Sequence, residues 1–176
     1  MANYLKTNTI GLDSVIHKAQ IALYDNLSNL WGINLDGYPR CYPINRQGIK
    51  TIEHFISNTE YKNLVYAETN KFFFTADNDI QNVRNDYFKT KLDLYFILNL
   101  AEISPSATHR TDEEVRNNVL DVLNTISELF IESIVTNIDK VFSGFEYREI
   151  EDMQPYHCFK IRLNVLEYNI NQITCN

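Results

Sequence analysis

Apolar residues recur along this chain at two different spacings. Over residues 11–30, Leu12, Val15, Ile16, Ala19, Leu23, Leu27 and Leu30 follow helical spacing and predict a first helix with one buried stripe. Asp13 is placed to cap it, Leu12 and Ile16 to form a hydrophobic staple, and Gly32 to close it after Trp31. The next stretch, INLDGYPRCYPINRQG, reads as extended. Pro39 and Pro43 forbid a helix there and bias the residues before them towards β or polyproline geometry. Alternation then puts Tyr38, Arg40 and Tyr42 on one side and Cys41 on the other. A strand with these prolines is expected at a sheet edge or as an arm.

Residues 49–56 fit a short helix or a strand equally. Residues 63–67 and 71–75 are apolar runs separated by Glu68-Thr69-Asn70, which predicts a β-hairpin. Its flanks, Tyr61-Lys62 and Asp77-Asn78-Asp79, suggest that it projects, and residues 80–85 read as a polar connection. The clearest strand is 86–101, with Phe88, Thr90, Leu92, Leu94, Phe96, Leu98 and Leu100 on one face and Lys89, Lys91, Asp93 and Asn99 on the other. After a loop at Ser104-Pro105-Ser106, Thr111-Asp112-Glu113-Glu114 is a capping box. The helix it opens carries a stripe of Val115, Val119, Val122, Leu123 and Ile126. A second helical stretch is expected over 128–139, then a strand over 141–150 with a bulge at Ser143-Gly144. The last element, 157–168, alternates as a half-buried antiparallel strand. The resulting class is α+β: a small antiparallel sheet packed with two to three helices, with a projecting hairpin and an extended arm, as one domain over 1–176.

Composition narrows the functional classes. A domain of 176 residues buries roughly 70% of its unfolded surface and needs no staple. The cysteines Cys41, Cys158 and Cys175 are odd in number with no CxxC spacing, which predicts free thiols in a reducing compartment. The first residues, MANYLKTNTIGLDS, have no apolar core of signal-peptide type. The longest apolar run, LYFILNLA, is broken by Asn99 and is far short of the ~20 residues of a membrane span. A net charge of -7 opposes non-specific attraction to nucleic acid.

The candidate chemistry is sparse. His17, His54, His109 and His157 show no HxxxH or HxH spacing, so no metal site is expected. His157 and Cys158 are neighbours on a strand, and their side chains diverge rather than forming a nucleophile pair. Glu60-Tyr61-Lys62 matches the Glu-x-Lys fragment of one magnesium-dependent nuclease superfamily, and Asp77, Asp79, Asp86 and Asp93 supply carboxylates. Within NTEYKN the fragment reads as solvated loop charge. No phosphate-cradling, nucleophile-elbow or HExxH motif occurs. No catalytic residue, metal ligand or cofactor is therefore expected. Phe72, Phe73 and Phe74 are the conspicuous feature. In a projecting hairpin only one aromatic face can pack on its own domain, and the other predicts a partner surface; the alternative is a buried strand.

The order of elements, with GYPRCYPI near the start and MQPYHCFKIRLNVLEYNI at the close, resembles the tail-terminator and head–tail connector proteins of tailed phages. The bias towards Asn, Ile, Lys and Tyr is similar to that of crAss-like phages. This resemblance implies a virion protein, made in the host cytoplasm, that forms a twelvefold or sixfold homo-oligomeric ring in the neck. Its partners would be itself and the neighbouring portal, neck or tail rings, with double-stranded DNA passing through unbound and no membrane involved. Tyr38, Arg40, Tyr42, Phe72, Phe73 and Phe74 are then the expected subunit-interface residues. An acidic chain suits such a conduit, because negative walls limit sticking of the genome. Two other classes stand beside it: an intracellular adaptor or inhibitor, and the metal-dependent nuclease.

Overall fold

The computed structural model describes residues 3–46, 48–56, 60–63, 70–104, 111–145 and 155–170. The protein has an α+β fold. Its helices are α1 (Leu12–Trp31), α2 (Leu100–Ile103), α3 (Thr111–Leu123) and α4 (Ile138–Val141). Its strands are β1 (Asp36–Arg46), β2 (Ile49–Ile56), β3 (Glu60–Asn63), β4 (Lys71–Ala76), β5 (Gln81–Arg84), β6 (Tyr87–Asn99), β7 (Leu129–Thr136) and β8 (Tyr156–Asn169). They form one sheet in the order β3-β2-β1-β4-β6-β8-β7, with β5 folded back onto β6. All pairings are antiparallel except β1 with β4.

The helix α1 forms as its stripe predicts, burying Leu12, Val15, Ile16, Ala19, Leu23 and Leu27. Gly32 adopts φ 63° and its N–H closes onto the Ser28 carbonyl at 3.0 Å. Asp13 does not cap the helix, whose N-cap is Gly11 at φ 56° with no side-chain bond. The carboxylate is drawn instead into ion pairs with Lys6 (2.5 Å) and Arg40 (3.0 Å), which pin α1 to β1.

The sheet has a core on each face. One face packs under α1 and α3 through Phe72, Phe74, Leu92, Leu94, Phe96 and Phe159, among others. The other face gathers Tyr38, Cys41, Ile52, Phe73, Tyr95 and Phe142. A strand covered on both sides reads as a continuous apolar run, which explains KFFFTA and the run from Leu94 to Leu98.

Several expectations are corrected here. Lys71–Ala76 is not the arm of a projecting hairpin; it is an inner strand between β1 and β6. Its expected partner run falls partly on β3, and residues 64–69 lie outside the described residues. The segment with Pro39 and Pro43 is not a free arm but belongs to the sheet. Its prolines are accommodated because Pro39 falls in the register shift against β4, and Pro43 lies where β1 pairs, among the described strands, with β2 alone. Residues 128–139 are mainly strand β7, because the Ile- and Val-rich run satisfies its backbone on β8. Residues 141–145 of the expected strand 141–150 hold the end of α4 and a turn, and 146–150 lie outside the described residues. Gln81–Arg84 is a strand rather than a polar connection, turned onto β6 through Asn85 at φ 45°.

Candidate functional site

The aromatic triplet is wholly internal. Phe72, Phe73 and Phe74 are each 0% exposed. Phe72 stacks on Phe96 (centroids 5.5 Å apart) under the helices, and Phe73 stacks on Tyr95 at 4.8 Å on the opposite face. The expected surplus aromatic face is absorbed by the chain's own second core. As partner-surface residues these three are corrected to core.

Strand β1 also departs from simple alternation. Gly37 and Arg40 lie opposite Phe72 and Phe74, so three steps on β1 match two on β4, and the register shifts at Tyr38-Pro39. This bulge re-aims the side chains. Tyr38 joins Cys41 in the second core and stacks on Tyr4 at 4.6 Å. Arg40 turns the other way, to Asp13 on α1, and lies over the Tyr42 ring at 5.4 Å. Tyr38, Arg40 and Tyr42 therefore do not form one face, and Tyr38 is buried. Cys41 is enclosed, and burial pushes its thiol above its ordinary range, which disfavours the reactive thiolate.

His157 and Cys158 point to opposite cores, as their adjacency predicts. His157 stacks on Phe159, and its Nε2 lies 2.9 Å from Arg116 Nη1. Arginine can only donate, so that nitrogen accepts. Arg116 also donates to Asp112 within α3 at 2.7 Å, so its contact with His157 ties α3 to β8. Burial pushes the Asp112 carboxyl up, but the hydrogen bond and charge of Arg116 outweigh it and hold the carboxyl below its ordinary value. Among the described residues, no group of three or more His, Cys, Asp or Glu side chains is arranged to hold a metal. His109 lies outside the described residues. Glu60 and Lys62 stand on edge strand β3 rather than in a turn.

The surface with distinctive character is the part of the second face that no described element covers, where β5, β6, β8 and β7 meet. Here the outward side chains of β6 and β8 change from apolar to charged. Asp93 receives two hydrogen bonds from Arg162, at 2.7 and 3.0 Å, and one from Lys160 at 3.3 Å. Lys91 pairs with Glu132 on β7 at 2.7 Å. Beside this network opens a cleft of about 340 Å³, walled by Asp77, Asp79, Lys89, Lys91, Phe130 and Leu166. Phe130 is 61% exposed and Leu166 52%, so apolar surface borders the charges.

Strand β7 ends the sheet on this side and is paired only with β8 among the described residues. Its sequence, LFIESIVT, exposes Phe130 and Ile134. Sequence reasoning missed this edge because Leu129, Phe130, Ile134 and Val135 also fit a helical stripe; the β-branched run Ile131, Ile134, Val135 and Thr136 was the available signal. The chain matches no protein-family model and no curated protein.

Proposed function

We propose that this chain is a structural subunit that assembles with copies of itself into a closed ring. We place that ring in the neck of a tailed-phage virion, as a head–tail connector or tail terminator around the DNA conduit. The observation that carries the assembly is the apolar edge at β7, whose outer side no described strand occupies. Monomeric proteins blunt such edges with lysine, proline, a bulge or a covering element, because unpaired strand groups template pairing with another chain. Strand β7 has a bulge between Ile131 and Ser133 but neither lysine nor proline, and its one charge, Glu132, is engaged by Lys91. The neck location rests on the resemblance of the chain's ends and on its net charge of -7, which suits the wall of a DNA passage. No helix among the described residues is long and apolar enough to cross a membrane.

Two measurements test this reading. Light scattering and native mass spectrometry across a concentration series should show a closed oligomer with one subunit number, visible as rings in negative stain. A mass-spectrometric inventory of purified particles should contain the chain at a stoichiometry matching that number. A monomer or simple dimer that is absent from particles favours the adaptor class instead.

A further inference from the structure

We infer that the subunit joint of this ring is strand addition: the β7 edge of one copy receives the opposite sheet edge, at β2–β3, of the next copy. The inference rests on the ring reading and specifies its interface. The sheet is one continuous path with β3 at one end and β7 at the other. Among the described residues each terminal strand has a single partner, β2 for β3 and β8 for β7. Two unlike open edges on one sheet are what a head-to-tail contact needs. Closure of the ring pairs both at once, much as closing a barrel removes its edges. A β7-to-β7 contact across a two-fold axis would stop at a dimer and leave β3 unpaired.

Features of β7 suit it to receive a strand. It is the eight-residue strand Leu129–Thr136, and its outer positions Phe130, Glu132, Ser133 and Ile134 are exposed. Main-chain hydrogen bonds supply association in such a mode, and side chains on alternate positions supply selectivity. The bulge between Ile131 and Ser133 shifts the register on the β8 side, so the incoming strand must match a kinked edge. That requirement disfavours unrelated strands. Phe130 and Leu166, beside the cleft, extend the contact beyond the backbone ladder.

The test uses two edge variants of the full chain, Ser133→Lys and Ile134→Lys, which place on β7 the residue that natural edges use against pairing. Ser133 is exposed and Ile134 is 38% exposed, so each monomer is expected to melt close to the wild type. Each variant alone should lose the ring and run as a monomer. A tagged Ser133→Lys chain mixed with untagged wild type should co-purify it as short capped oligomers, because the variant's β2–β3 edge is intact. Wild-type rings with variants that also close into rings would overturn the inference and leave the ring reading standing. Variants excluded from wild-type complexes would also overturn it, since that pattern belongs to β7 paired with β7. A wild-type chain that stays monomeric throughout overturns the ring reading, and the inference with it.

Discussion

Asp93 on β6 and Arg162 on β8 stand directly opposite each other in the ladder, and their side chains close two hydrogen bonds of 2.7 and 3.0 Å. The hydrogen bonding it donates to Asp93 is the main reason the Arg162 guanidinium is held above its ordinary pKa. The pair sits where the outer face of the sheet changes from the second core to open surface. It keeps a mostly buried carboxylate satisfied beside Tyr95, which would otherwise border an unpaired charge.

Removing one partner therefore costs more than a surface ion pair normally does. Asp93→Asn leaves the Arg162 fork with no carboxylate opposite it in the ladder. Because Arg162 is partly solvated, the expected loss is about 1–2 kcal/mol rather than the full cost of a buried pair. Urea denaturation with an unchanged m-value checks it. A variant as stable as the wild type would show the pair to be energetically idle.

Phe73→Ala should cost about 3–5 kcal/mol, as truncation of a fully enclosed aromatic does. It removes the ring stacked at 4.8 Å on Tyr95 and opens a hole in the second core. Chemical denaturation reads the loss directly. A near-neutral effect on the isolated monomer would restore the triplet as a partner surface.

Gly37→Ala tests the close approach of strand and N-terminal segment. A Cβ at Gly37 would lie 2.7 Å from Phe72 Cζ and 3.0 Å from Asn3 Oδ1. Phe72 is enclosed and cannot move aside, so overpacking should cost about 1–3 kcal/mol. The same change should loosen residues Asn3 and Tyr4, whose bridge and 2.8 Å backbone bond reach Gly37. Hydrogen exchange at the Tyr4 amide is the sensitive readout, and unchanged protection would contradict the packing.

Stability should fall at both ends of the pH scale, by different groups. A hydrogen bond from Lys18 holds the Glu128 carboxyl below its ordinary value, and Arg116 does the same for Asp112. Folded values below unfolded ones give stability that is present above about pH 4 and is lost as pH falls through the folded values. Solvent screening limits this to about 1 kcal/mol or less for each pair. Glu128→Gln should accordingly flatten the acid limb of the stability profile.

At the alkaline end, burial first and then the Asp93 charge push the Tyr95 hydroxyl up to about 12. A folded value above the unfolded one of about 10 gives stability that is present below pH 10 and is lost as pH rises through the folded value. The difference corresponds to about 2–3 kcal/mol at most. Tyr95→Phe should reduce the alkaline slope between pH 10 and 12, in melting curves followed by far-ultraviolet circular dichroism. An unaltered slope would remove Tyr95 from the titration.

The α+β class, the helices α1 and α3 and the strands β6 and β8 were legible in the linear sequence. Each of them shows its buried face as a patterned apolar stripe, and α1 also carries its own closing signal, Gly32. What the order of residues left open was which faces have neighbours. Phe72, Phe73 and Phe74 look like surplus apolar surface until a second core appears on the far side of β4, a fact held in distant residues such as Tyr38 and Phe142. The side on which Tyr38 lies depends on a bulge against β4, because a single extra residue reverses every later side chain of a strand. The exposed edge at β7 is likewise a property of the sheet, since Leu129–Thr136 is an edge only because β8 occupies one side of it and no described strand occupies the other. Periodicity records how a segment meets its nearest layer. The second layer, the register and the identity of an edge arise from contacts between residues far apart in the chain, and only the tertiary structure decides them.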